Sequence, residues 1–419
     1  MRVLLANYDS RGGLEPLLGL AVRLRELGVE VRVCAPPDEE FARRLAGVDV
    51  PLVPFGRPVR ALMTAATPPT ADGVPRRAAE LLARFDTVAE AAEGCDVLVA
   101  TGLLPAAACV RAVADKLDVP YVYASFQSVS LPSPHHPPMP RPGRPLPPDE
   151  TDNRALWDVD ARSANDLFRE VVNERRASVG LAPVDEVRDH VFTDHPWLAT
   201  DPVLDPWDAG ASRGPAPDPR QGSSAPRVVQ TGTWIVPDER PLPPELTAFL
   251  DVGEPPVYVG FGSMALGDSG AAARACVEAV RAQGRRAVVS RGWTELAPVD
   301  DRDDCFVVGE ANHHALFRRV AAVVHHGGSG TTTTAAWAGA PQVVVAQGGD
   351  QPYFAGRVAA LGIGAAHDGP APTFASLSAA LDVALAPGTR VRAADVAATV
   401  RTDGAAVAAK LLLDTVVRG

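Results

Sequence analysis

The sequence predicts an α/β protein built from two doubly wound domains, and three observations predict it. Short β-rich runs alternate with longer helical patterns in the first half. The same rhythm restarts in the second half, and a stretch rich in proline, glycine and serine, Gly210–Ser224, separates the two. At 419 residues the chain is long enough for two such domains without disulfide support.

The first half opens on a buried-strand run, Arg2–Asn7 (RVLLAN). In Leu14–Leu27, Leu14, Leu17, Leu18, Ala21 and Leu24 fall at helical spacing, and Gly28 supplies a stop. Val29–Ala35 reads as a strand, Ala78–Ala92 as a helix, Asp96–Thr101 as a strand, Ala106–Leu117 as a helix and Tyr121–Ser125 as a strand. Strands separated by helices of this length give a parallel sheet covered on both faces. Leu131–Pro148 (LPSPHHPPMPRPGRPLPP) is neither helix nor central strand. It is either a disordered surface loop or an ordered loop over a binding cleft. Thr151–Ser178 is a polar helical stretch, and Gly210–Ser224 has no apolar face and reads as a linker. Strand candidates then follow at Val257–Phe261, Ala287–Ser290, Cys305–Val308, Ala321–His325 and Gln342–Ala346. Thr373–Ala386 and Arg392–Val416, broken near Thr402–Gly404, are terminal helices. The expected units are 1–209, a linker 210–227, 228–395, and 396–419.

Composition excludes several classes. The net charge of -11 repels polyanions, so nucleic-acid binding is not expected. No run of 18 apolar residues occurs, so no membrane-spanning helix is expected. The five cysteines are odd in number and form no CxxC pair, which argues against a disulfide framework or a zinc site. No His/Cys/Asp/Glu set has metal spacing, and no metal or cofactor is expected. The N-terminus MRVLLANYDSRGG has no signal-type apolar region, so a reducing cytoplasm is the expected compartment, and the chain is expected to be a monomer.

The strongest local feature is Val323–Ala336, VVHHGGSGTTTTAA. A strand ends in two histidines, glycines follow, and a Thr-rich helix begins. Glycines let the backbone approach a ligand closely, and the free N–H groups at a helix start favour an anion. Ser329, Thr331 and Thr332 add hydroxyls, and His326 adds a ring donor. Together they suit a diphosphate held without a Walker lysine; the alternative is an ordinary strand–turn–helix junction. Asp350-Gln351 stands at the same rim and suits vicinal sugar hydroxyls, although Asp350 would serve equally as a helix cap. Ser263 ends the GFGSM segment and is a candidate donor to phosphate or sugar. Arg291 and Trp293 are candidates for the donor's base or diphosphate, and the Val308 backbone for a pyrimidine edge. The first loop, Asp9–Pro16, offers only Gly12-Gly13 and not the G-x-G-x-x-G of a dinucleotide fold, so a nicotinamide enzyme is the weakest reading.

These residues resemble the bacterial glycosyltransferases that decorate glycopeptide antibiotics of the vancomycin and teicoplanin group. The markers run nearly the length of the chain: MRVLLAN–SRGG–EP, EGCDVLVATGLLPAA, FTDHPW (Phe192–Trp197), VQTGTWIVPDERPL (Val229–Leu242), VYVGFGS, SRGW, CFVVGEANHHALF, HHGGSGTT and GGDQPYFAGRVAALGIG. The resemblance implies the GT-B fold, two Rossmann-like domains facing across a cleft with the last helix packed back on the first. It implies inverting, metal-independent transfer from a UDP- or dTDP-sugar bound by the second half to a heptapeptide aglycone bound by the first. By motif match His326, Gly328, Ser329, Gly330 and Thr331 would hold the diphosphate, and Asp350 and Gln351 would face the sugar. Arg11 and Gly12 join the expected donor side. Gly13, Phe126, Gln127, His135, His136 and Met139 are the expected acceptor side, with 131–148 as a flap. One departure matters: the family pattern has Asp directly after S-R-G, the usual general base, where this chain has Gly13. Three consequences are open. Asp9, Ser10 or a histidine of the flap takes over; a phenolic acceptor, of pKa about 10, needs little base; or the protein is a slow or silent binder.

Overall fold

The computed structural model describes residues 1–63, 73–207, 226–263, 269–293, 300 and 302–418. Its strands are β1 (Arg2–Tyr8), β2 (Glu30–Ala35), β3 (Leu52–Pro54), β4 (Val97–Gly102), β5 (Tyr121–Ser125), β6 (Trp197–Leu198), β7 (Val229–Gln230), β8 (Val257–Gly260), β9 (Ala287–Ser290), β10 (Cys305–Val308), β11 (Ala322–His325), β12 (Gln342–Val344) and β13 (Gly364–Ala366). They form two parallel sheets, in the orders β3-β2-β1-β4-β5-β6-β7 and β10-β9-β8-β11-β12-β13. The predicted doubly wound α/β architecture is therefore present twice. In each sheet the order reverses beside the first strand of that half: between β1 and β4, and between β8 and β11. Crevices at the carboxyl ends of such strands are where open α/β sheets bind ligands.

The longer strands are legible because they are largely apolar runs; in β1, Val3, Leu4 and Leu5 have no exposed surface. The strands missed by the sequence, β3, β6, β7 and β13, have two or three residues each and carry no periodic signal. The expected single helix Ala78–Ala92 is two, Gly73–Leu82 and Phe85–Ala92. Buried positions Leu81, Leu82, Phe85 and Val88 continue across the break, so the apolar spacing conceals it. The first helix begins at Arg11, three residues before the expected Leu14, because the Ser10 hydroxyl accepts from the Gly12 amide and caps it.

The unit boundaries also move. The linker reading falls on residues outside those described, but β7 pairs with β6, and Trp234 is buried in the first core. Residues 228–236 thus complete the first domain rather than open the second. At the other end, the helix Pro387–Ala397 packs Ala393 and Val396 on the second domain, so the return begins after Ala397. The final helix, Gly404–Arg418, then buries Ala405, Ala408, Ala409 and Leu412 in the first domain's core.

That docking is close. A β-carbon at Gly404 would fall inside the Gly232 carbonyl and lie 2.6 Å from the Thr233 carbonyl oxygen. Gly404→Ala is expected to cost about 1–3 kcal/mol through overpacking, and limited proteolysis should then cut the last helix faster than in the wild type.

Candidate active site

At the first switch point, β1 ends in Asn7 and Tyr8 with Asp9 directly after it, and β4 ends in Gly102. Ser10 donates its backbone N–H to Asp9 Oδ1 at 2.5 Å. Burial pushes the Asp9 carboxyl above its ordinary range, against the pull of that hydrogen bond. Gly13, in the first turn of the helix, is buried against this group. A β-carbon there would lie 2.8 Å from Asp9 Cβ and 2.9 Å from Asn7 Oδ1. Real β-carbons do not approach so closely, so a side chain at position 13 would have to displace that of Asp9 or Asn7. Where the family pattern has a carboxylate after S-R-G, this chain has Gly13 with the Asp9 side chain beside it.

At the second switch point, His325 ends β11 and His326 follows it. His325 is structural: its Nε2 lies 2.9 Å from Gln342 Oε1, and its Nδ1 accepts from the Gly327 amide. His326 faces the crevice between β8 and β11. Its ring lies against Gly262 and Gly328, where any β-carbon would crowd it, and its Nδ1 is buried with no protein partner. Burial lowers its pKa to about 4, so near pH 7 it is a neutral ring with one N–H to donate. The helix Ser329–Trp337 starts beside it with Gly328 as N-cap and no side-chain cap. The amides of Ser329, Gly330 and Thr331 are thus the first-turn donors with which an anion would pair. Thr332 and Thr334, by contrast, bond back to the carbonyls of Gly328 and Gly330.

Asp350 precedes the helix Gln351–Ala360 but makes no capping bond, which removes the capping alternative. Burial raises its pKa to about 7, and the charges of Asp9 and Asp205 add to the rise. Asp350 of the second domain is thus within electrostatic reach of Asp9 of the first. Gln351 is turned inward, its Oε1 accepting from the Gln347 amide.

Several expected ligand residues serve the domain contact instead. Arg11 is tied to Glu15 and Glu40 of its own domain and to Glu310 of the other, at 2.9–3.1 Å. Trp293 donates from Nε1 to Glu40 at 2.9 Å rather than offering a free face. Tyr353 donates to Asp205, and Arg357 to the carbonyls of Val203 and Leu204, fastening the other side of the cleft. The Val308 carbonyl accepts from the Arg291 amide, which draws it from the role of a base acceptor. The Arg291 side chain is exposed, and Ser263 is half-buried in the turn after β8. Gly12 is exposed at the helix start.

On the acceptor side, Phe126 is 8% exposed and packs edge-on to Trp234 in the core. Its place is structural, because β5 ends under the strand that β7 adds. Gln127 donates to Ser130, and Met139 is half-buried. The 131–148 segment is an ordered loop, not a disordered one. Trp157 donates to the His136 carbonyl, Asn153 to that of Pro134, and Arg141 pairs with Asp160. His135 points outward, while His136 lies edge-on between Trp157 and Trp207. Sequence reasoning missed Asn7, Gly102, Glu310 and Asp205. Asn7 carried a signal, being the one polar residue of RVLLAN besides Arg2.

Two doubly wound parallel domains in contact, with an uncapped helix start beside a neutral imidazole in the second, have the architecture of GT-B glycosyltransferases. Residues 12–170 match the glycosyl transferase 4-like domain, and 302–409 match the C-terminal domain of erythromycin biosynthesis protein CIII-like proteins. The chain is 54% identical to glycosyltransferase GtfE of Amycolatopsis orientalis, over 99% of this chain and 98% of that one. It is also 54% identical to the vancomycin aglycone glucosyltransferase of the same organism, over 100% and 98%. Among solved structures, glycosyltransferase VinC in complex with DTDP aligns over 100% of both chains with a TM-score of 0.66 at 19% identity. The chain belongs to the glycopeptide-antibiotic glycosyltransferase family. Among the described residues, no helix is long and apolar enough to cross a membrane.

Two outcomes follow from this geometry. Gly13→Asp is expected to lower activity and to destabilise by about 1–3 kcal/mol, since its side chain has no room beside Asp9; kinetics and thermal melts check this. An acid whose pKa is raised on folding stabilises below its unfolded pKa and loses that contribution as pH climbs through the folded value. Asp350→Asn should therefore melt a few degrees above wild type at pH 8, with the gain fading from pH about 7 towards about 4.

Proposed function

We propose that the protein moves a sugar from a UDP- or dTDP-sugar to a hydroxyl of a glycopeptide heptapeptide aglycone, with inversion and without a metal. The observation that carries this reading is the opposition of two prepared groups. An anion-ready helix start with neutral His326 lies at one switch point, and the Asp9 carboxyl lies at the other. The family relatives supply the substrate class.

The acceptor oxygen attacks the anomeric carbon from the face away from the diphosphate. A C–O bond forms as the C–O bond to the diphosphate breaks, and the bonding pair leaves on the phosphate oxygen. The amides of Ser329, Gly330 and Thr331 and the ring N–H of His326 meet that growing charge. The acceptor proton passes to Asp9, whose raised pKa brings its basicity closer to working pH. Asp350 meets the sugar; near neutral pH it is shared between its two protonation states, so it can both donate to and accept from hydroxyls. A silent binder is the poorer reading, because the carboxylate missing at Gly13 is present at Asp9.

The test is a product assay with the aglycone and a panel of UDP- and dTDP-sugars. An inverted glycoside whose yield is unchanged by EDTA is expected; donor binding without transfer from any sugar would end this proposal. Asp9→Asn should cut kcat by about 10²–10⁴ and abolish the acid limb of the pH profile. An intact acid limb in that variant would remove Asp9 as the base.

A further inference from the structure

Asn7 is 1% exposed, and neither its Oδ1 nor its Nδ2 has a protein partner. Buried amides are almost always paired, since an unmade bond in the interior is costly. A buried Asn at the end of an otherwise apolar strand therefore calls for a partner on the reaction path. Both polar atoms of the amide point at one gap. They lie 2.9 and 3.1 Å from the place a β-carbon would take on Gly13, and Oδ1 lies 2.9 Å from the same place on Gly102. Asp9 Cβ borders that gap too, 2.8 Å and 3.5 Å from those two places. Gly102, at φ +82°, and Gly13 keep it free of side chains. One oxygen of Asp9 is held by the Ser10 amide. The other oxygen belongs to a side chain that borders the same gap as the Asn7 amide.

We propose that Asn7 is a positioning residue for the proton transfer, its Nδ2–H group holding the second oxygen of Asp9 across the gap left by Gly13 and Gly102. The inference rests on the role of Asp9 given above. It assigns the two glycines a purpose: they leave room for the carboxylate to lie between the Ser10 amide and the Asn7 amide. The other titratable groups that face Asp9 are Asp350 from the second domain and Tyr123 from β5. Neither donates to it; the amide and hydroxyl of Ser10 lower its proton affinity from one side, and the Asn7 amide is a further donor on the border of the same gap.

The test is Asn7→Leu, which keeps the shape and removes the hydrogen-bonding atoms, measured alongside Asp9→Asn and wild type. Loss of an unpaired buried amide should leave the melting temperature unchanged or raise it. The expected result is a kcat lower by about tenfold or more with KM for donor and acceptor unchanged. The acid limb of the kcat profile should move to higher pH, because a carboxylate that loses a donor becomes harder to ionise. A wild-type kcat and acid limb in Asn7→Leu would overturn the inference, as would a kcat loss that comes with a lower melting temperature and a raised KM. If wild type itself transfers no sugar, or Asp9→Asn keeps the acid limb, the fault lies with the preceding reading, and Asn7 as a positioning residue falls with it.

Discussion

Every feature of the cleft depends on the two sheets being held with their carboxyl ends towards each other. The final helix secures this on one side, where the Gly404 backbone lies directly on that of Gly232. Across the cleft, the clasp of Arg11 and Arg44 on Glu310 and the bond from Trp293 to Glu40 tie the first helices to the second domain. On its far side, Tyr353, Arg357 and Asp205 do the same. Partly buried ion pairs are modest in net energy but exacting in geometry. They are suited to setting the relation of two domains that must still admit a nucleotide.

Within that frame, chemistry is concentrated at the two switch points because the backbone is exposed to ligand there and nowhere else in a doubly wound sheet. One point offers donors and a ring kept neutral by burial, His326. The other offers an acceptor whose proton affinity burial has raised, Asp9. The same cause, loss of water, moves the two groups in opposite directions and towards their tasks.

Much of this was legible in the sequence. The alternation of apolar strands and helices fixes two parallel α/β domains, and HHGGSGTT marks the anion-binding helix start by glycine spacing and hydroxyls alone. The short edge strands were not legible, since two or three residues carry no period. Nor was the fate of Phe126, Trp293 and Arg11, whose residue types fit a ligand as well as they fit a domain contact. The substitution at Gly13 was visible, but its meaning was not. A glycine in place of a carboxylate reads as a loss until the Asp9 side chain is seen to lie beside it.

The residues alone therefore determined the fold class, the family and the segments that carry chemistry, because burial patterns and glycine spacing are local properties of the chain. Only the tertiary structure decided which carboxyl lies beside Gly13 and which arginines are already paired. Those outcomes depend on distances between residues that the chain keeps apart and the fold brings together, and on the water that packing removes from them.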